Sequence, residues 1–177
     1  MTTKPATAAD ILKTIKEQDI QFVDFRFTDP KGKWQHTCYI AEQVNEDSFT
    51  DGIMFDGSSI SGWKSINESD MILMPDQTTA FIDPFAAQPT MVIFCTVVDP
   101  ATGQPYGRDP RSIAKRAEAY LGFTGIGDTA YFGPELEFFV FDDVRFKTAG
   151  NYSFHQLDSE ELPCNSDRAY QAGNMGH

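Results

Sequence analysis

The apolar positions of the chain change period several times, and each change marks an element. After Thr7, a residue suited to capping a helix, Ala8, Ile11, Leu12 and Ile15 recur at the spacing of one helical face. Asp10, three residues beyond Thr7, completes a weak capping box. From Gln21 to Thr28 the period drops to two. Val23, Phe25 and Phe27 alternate with Asp24 and Arg26, as in a half-buried strand. Asp29-Pro30-Lys31-Gly32 then supplies a turn, with Pro preset at the corner and Gly at the exit. Lys33 to Ile40 returns as a second strand, with Trp34, His36, Cys38 and Ile40 on one face, so a hairpin is predicted.

Between residues 45 and 70 the chain becomes rich in Gly, Ser and Asp, with large apolar residues interleaved. Short strand-like runs follow at Met71–Met74, Ala80–Ile82 and Met91–Val98, separated by Pro75, Pro84, Pro89 and Pro100. One helix with four or five strands describes a small α+β domain. Asp99 to Pro105 reads as a turn-rich linker, which divides the chain into a first domain over 1–105 and a second over 106–177. Asp109-Pro110 is a strong helix start, and Ile113, Ala117 and Leu121 continue one face until the glycines at 122–127. Asp128 to Phe141 is the most strand-like segment of all. From Asp142 onward the pattern turns polar and loop-like, and the second half looks too short to close a core of its own.

Composition adds exclusions. The 177 residues are 41% apolar and 23% charged, an ordinary globular balance. The net charge of −12 argues against a nucleic-acid or anionic-membrane partner and suits cations, or substrates escorted by cations. Met91 to Cys95 is strand-sized rather than membrane-sized, and Met-Thr-Thr-Lys-Pro lacks the apolar core of a signal peptide, so a cytoplasmic protein is expected. Cys38, Cys95 and Cys164 are far apart without a CxxC pair, which predicts reduced, partly buried thiols rather than disulfides or structural zinc. His36, His155 and His177 are equally scattered. Neither GxGxxG nor a P-loop occurs.

Two places could carry chemistry. In Tyr131-Phe132-Gly133-Pro134-Glu135-Leu136-Glu137-Phe138-Phe139-Val140-Phe141, a strand would place Glu135 and Glu137 on one face, about 7 Å apart along the chain. Two ionised carboxylates about 6 Å apart repel by roughly 3 kcal/mol at an effective dielectric near 20. Lys or Arg partners, protonation of one group, or a divalent cation such as Mg²⁺ or Mn²⁺ would offset that repulsion. A solvated strand face stands beside these options, and a glycosidase-like acid and base pair is a minor one. The second place is Asp56, in a Gly/Ser loop with Trp63 seven residues on. One reading makes Asp56-Gly57 a turn whose serines satisfy local backbone. The other makes a mobile loop that presents a carboxylate to a cationic substrate.

Four longer motifs carry a resemblance. Met54-Phe-Asp56-Gly-Ser-Ser-Ile-Ser-Gly-Trp63, Asn67 to Asp76, Arg108-Asp-Pro-Arg-Ser-Ile-Ala-Lys-Arg-Ala117 and Phe132 to Phe139 run in the order found in bacterial type I glutamine synthetases. The chain resembles that family collinearly from about Ile11 to His177. The resemblance implies a β-grasp N-terminal domain followed by the opening of an α+β catalytic domain. It further implies ATP-dependent joining of ammonium to glutamate, through γ-glutamyl phosphate that ammonia then attacks. By motif, Glu135 and Glu137 match ligands of two Mg²⁺ or Mn²⁺ ions, with ATP as substrate. Asp56 matches the loop Asp that binds ammonium and helps deprotonate it, reaching into a neighbouring subunit's site. Trp63 belongs to the same loop with a packing role. Sites of that kind imply a homo-oligomer.

Ser61 and Leu136 are mild departures from the family pattern. Gly173 to His177 resembles the opening of a motif that runs further in the family. A fragment lacking the remaining metal ligands, the nucleotide pocket and the glutamate-binding arginines is therefore expected, inactive by itself. The alternative is a non-catalytic β-grasp module that binds a partner or supports an oligomer.

Overall fold

In a computed structural model of the chain, residues 7–159 are described. The chain divides into two units, 1–130 and 131–177. The first opens with helix α1 (Ala8–Glu17), whose capping box forms as expected: Thr7 Oγ1 accepts from the Asp10 amide and the Asp10 carboxylate accepts from the Thr7 amide. Strands β1 (Phe22–Thr28) and β2 (Trp34–Ile40) pair antiparallel across the 29–32 turn, where Gly32 takes a φ of 85°. A short helix α2 (Asp47–Thr50) leads to β3 (Ile53–Asp56), which pairs antiparallel with β4 (Asp70–Pro75). Next come β5 (Phe81–Ile82), the long β6 (Thr90–Asp99), the two-residue β7 (Gln104–Pro105) and helix α3 (Pro110–Thr124).

The sheet order is β2-β1-β6-β4-β3, with β5 and β7 also on β6. Only β1 and β6 run parallel. Ten residues long, β6 pairs with β1 and β5 along its first half and with β4 and β7 along its second. The predicted alternation becomes a core. Val23, Phe25 and Phe27 of β1 pack with Met91, Ile93, Cys95 and Val97 of β6, Met71 and Leu73 of β4, and Ile11 and Ile15 of α1. The residues expected to share a face of β2 do so, and that face is the outer one; Tyr39, from the opposite face, packs against the core. Trp34 lies over Phe94, with ring centroids 4.9 Å apart, and beside the Arg26 guanidinium. Asp24 is buried at 5% exposure, where Arg26 Nε at 2.7 Å and His36 Nδ1 at 2.6 Å partner its two oxygens.

Two expectations for the segments after α3 are overturned. Residues 129–141, the most strand-like run in the sequence, carry no regular secondary structure. Leu136, Phe138, Phe139 and Val140 are exposed. A strand needs a neighbour to take its N–H and C=O groups, and among the described residues none is paired with this one. Conversely, the polar stretch expected to be loop forms a two-stranded hairpin, β8 (Asp143–Thr148) with β9 (Ser153–Asp158). Alternate residues Val144 and Phe146 carry its weak period-two signal. Among the described residues of 131–159 only Ser159 is buried, so this stretch has no apolar core of its own.

Helix α3 starts where Asp109-Pro110 placed it. The Asp109 side chain accepts from the Arg111 and Ser112 amides, Pro110 takes the first helical position, and Gly125 closes the helix at a φ of 69°. Its expected apolar face is largely uncovered, however: Ile113 and Ala117 are exposed, Leu121 is half-buried, and only Ser112 is buried.

Candidate functional site

Asp56 ends β3, so its side chain is placed by a strand rather than by a free loop. Its Oδ1 accepts from the Ser58 amide at 2.8 Å and from the Ser58 hydroxyl at 2.6 Å, which caps a 3-10 turn over residues 57–59. Those hydrogen bonds, with a further one from the Ser69 side chain, hold the exposed carboxyl below its ordinary value. Asp56 is thus an ionised, outward-facing carboxylate at neutral pH. The turn reading describes this geometry, and the carboxylate at its start is exposed.

The loop after it is fastened at several points. The Gly57 amide donates to the Ser69 carbonyl at 2.6 Å, and a side chain at Gly57 would meet Met71 Cγ at 2.5 Å, so only glycine fits this approach. Ile60 and Trp63 are buried in the core. Trp63 sits among Phe27, Phe55 and Tyr106, with centroids 5.5, 6.2 and 5.5 Å away, which gives it the expected packing role. Lys64 Nζ pairs with Asp99 at 3.0 Å, and Arg108 Nη1 donates to the Gly62 carbonyl at 2.6 Å. Of the two readings the sequence allowed, the mobile one is not met: the loop is anchored.

Charged side chains on α3 form a second cluster that the sequence did not disclose. Asp76 pairs with Arg111 Nη2 at 2.5 Å and Lys115 Nζ at 3.4 Å. Burial opposes ionisation of Asp76, but hydrogen bonds from Thr78 and Arg111 and the charges of Lys115 and Arg111 outweigh it, bringing the carboxyl to about 2. Asp109, wholly buried, also accepts from the Val97 amide of β6 at 3.1 Å and from the Ser112 hydroxyl at 2.5 Å. Its carboxylate therefore joins the sheet to the helix. These partners lie 12 to 39 residues apart, apart from the local cap, so no spacing rule could have found them.

Glu135 and Glu137 fall in the other unit, on exposed irregular backbone. The strand that would have put them on one face is absent. Carboxylate oxygens suit Mg²⁺ or Mn²⁺, but two are too few to enclose either ion. No group of three or more His, Cys, Asp or Glu among the described residues could hold a metal. Cys38 is exposed, not partly buried as expected, whereas Cys95 is buried; both are free thiols, and the pKa of each is raised, at Cys95 by burial and at Cys38 by partial desolvation of the sulfur and the Asp24 charge, so neither is primed as a nucleophile. Cys164, His177 and the motif opening at Gly173 lie outside the described residues. No helix among the described residues is long and apolar enough to cross a membrane.

Comparison with known proteins agrees with this architecture. Residues 19–100 match the β-grasp domain of glutamine synthetase, and residues 107–175 match the glutamine synthetase catalytic domain. The chain belongs to the glutamine synthetase family, and its fold is a β-grasp domain followed by the start of that catalytic domain. Glutamine synthetases of Bradyrhizobium diazoefficiens and Rhizobium meliloti are 60% and 61% identical to it over 171 residues. A protein named 3-hydroxylaminophenol mutase, from Cupriavidus pinatubonensis, is 56% identical over 171 residues. Each alignment covers 97% of this chain and 36% of the relative, so the chain spans little more than a third of the curated relatives it matches. A Plasmodium falciparum glutamine synthetase solved by cryo-EM has a similar fold, with a TM-score of 0.69 over 91% of this chain and 31% of that one, at 22% identity.

Proposed function

We propose that the whole protein is a glutamate–ammonia ligase, which uses ATP to form γ-glutamyl phosphate and lets ammonia displace the phosphate, releasing glutamine, ADP and phosphate. The observation that carries this reading is the 171-residue match to a glutamine synthetase at 60% identity. Within it, Asp56 is the residue we assign to ammonium. An exposed carboxylate held ionised by Ser58 attracts a monovalent cation, and on losing a proton to that carboxylate the ammonium becomes the nucleophile. Preorganisation supports the assignment, since a carboxylate at the end of β3 with an anchored loop behind it spends little freedom on binding.

Glu135 and Glu137 are proposed as two oxygen donors toward Mg²⁺ or Mn²⁺, with the remaining donors supplied from outside the described residues. A first domain over 1–105, a second beginning at 106, a homo-oligomer with sites shared between subunits, and a cytoplasmic location complete the proposal.

The test is ATP-dependent glutamine formation by the full-length protein and its Asp56→Asn variant. Wild type should form glutamine, and the variant should lose roughly 10²-fold in kcat/KM for ammonium with the KM for glutamate nearly unchanged. The relative named as a mutase shows a second reading worth one arm of the assay: turnover of 3-hydroxylaminophenol without ATP, and none of glutamate with ATP, would replace the ligase.

A further inference from the structure

Arg108 grips the Asp56 loop from outside it. Its Nη1 donates to the Gly62 carbonyl at 2.6 Å and the Trp63 carbonyl at 3.3 Å. Gly62 has a φ of 85°, in the left-handed region that glycine enters without the steric cost other residues meet. A tether at that carbonyl holds the chain at a position where glycine itself would permit other conformations.

The tether is itself fixed to the sheet. The Tyr106 amide donates to Val97 at 2.8 Å, the Asp109 amide to Tyr106 at 3.1 Å, and the buried Asp109 carboxylate accepts from the Val97 amide. Arg108 thus stands between two points locked onto β6, while its exposed guanidinium reaches 45 to 46 residues back in sequence. At the other end of the loop, Gly57 is pinned to Ser69. Asp56 lies immediately before that pin, and Arg108 fastens the far end of the loop beside the Lys64–Asp99 pair.

We infer that Arg108 is a positioning residue for Asp56: its bonds to the 62–63 carbonyls hold the loop in the geometry that caps Ser58 and aims the carboxylate outward. This rests on the reading of Asp56 as the ammonium site. Both bonds come from Nη1, whose two N–H groups are fixed in the guanidinium plane, whereas lysine's ammonium rotates freely about its stem.

The test pairs hydrogen exchange with kinetics on the full-length protein and its Arg108→Gln, Arg108→Lys and Asp56→Asn variants. Arg108→Gln should speed exchange of the 57–64 amides about tenfold and raise the KM for ammonium about fivefold, leaving the KM for glutamate and ATP unchanged. Arg108→Lys should recover part of both effects. Unchanged exchange at 57–64 overturns the inference, as does a parallel rise in all three KM values. An Asp56→Asn effect on ammonium beside an inert Arg108→Gln overturns the positioning role alone. If Asp56→Asn leaves ammonium use untouched, the reading of Asp56 fails and the positioning role fails with it.

Discussion

The stretch from α1 to α3 and the stretch from Tyr131 to Ser159 contain similar apolar residues with opposite fates. In the first, Phe25, Met71, Leu73 and Ile93 are fully buried between paired strands and a helix. In the second, Phe132, Leu136, Phe138 and Val140 are exposed, and the only ladder is the β8–β9 hairpin. The difference lies in neighbours. A strand lowers its free energy by pairing backbone groups and burying one face, and both need a second element at the right place. Residues 22–99 contain those elements, whereas residues 129–141 have no paired strand among the described residues.

The largest contrast should come from a pair of matched truncations. Phe25→Ala removes a wholly buried ring and should cost about 3–5 kcal/mol, read as a fall in the urea midpoint. Phe138→Ala removes a ring that is 79% exposed and should change stability by no more than about 0.5 kcal/mol. Similar losses from both would erase the distinction between the two regions.

Asp109→Ala comes next. It strips the acceptor from the Val97 and Ser112 amides and the Ser112 hydroxyl at a buried point, and should cost about 2–3 kcal/mol. Asp109→Asn, which keeps one side-chain acceptor, should lose less. Equal chemical-denaturation curves for Asp109→Ala and wild type would show that the sheet-to-helix joint bears no strain.

Acid sharpens the same comparison. Asp76 titrates at about 2 instead of its ordinary 3.8, so its contribution is complete above roughly pH 4 and is lost as pH falls through about 2. Thermal melts across that window should show wild type losing about 1–2 kcal/mol more than Asp76→Asn. The hairpin's Asp143–Arg145 pair is exposed on both sides, and Arg145→Ala should move stability by only a few tenths of a kcal/mol.

How much of this was legible beforehand follows the same division. Local devices were readable: the Thr7 and Asp10 box, the 29–32 turn, the Asp109-Pro110 start and the Gly125 stop each involve residues within four positions of one another. The core of β1 and β6 was readable because alternation there meets real partners. Pairing was not readable. The run at 128–141 has the composition of a buried strand without a ladder, while Val144, Phe146 and Phe154 form a ladder with too little apolar content to announce it. At the site, the sequence picked out Asp56 and its turn, but the grip of Arg108 and the Lys64–Asp99 pair connect residues 35 to 46 positions apart. Only folding brings them together.

Central to the account is a folded platform that carries Asp56, followed by carboxylates on backbone that has no ladder. Native-state hydrogen exchange on the 177-residue chain tests this most directly. Amides of Val23, Phe25, Ile93 and Val97 should exchange only by global opening, orders of magnitude slower than those of residues 135–140, which should exchange close to the unprotected rate. Protection of 135–140 equal to that of β6 would contradict it.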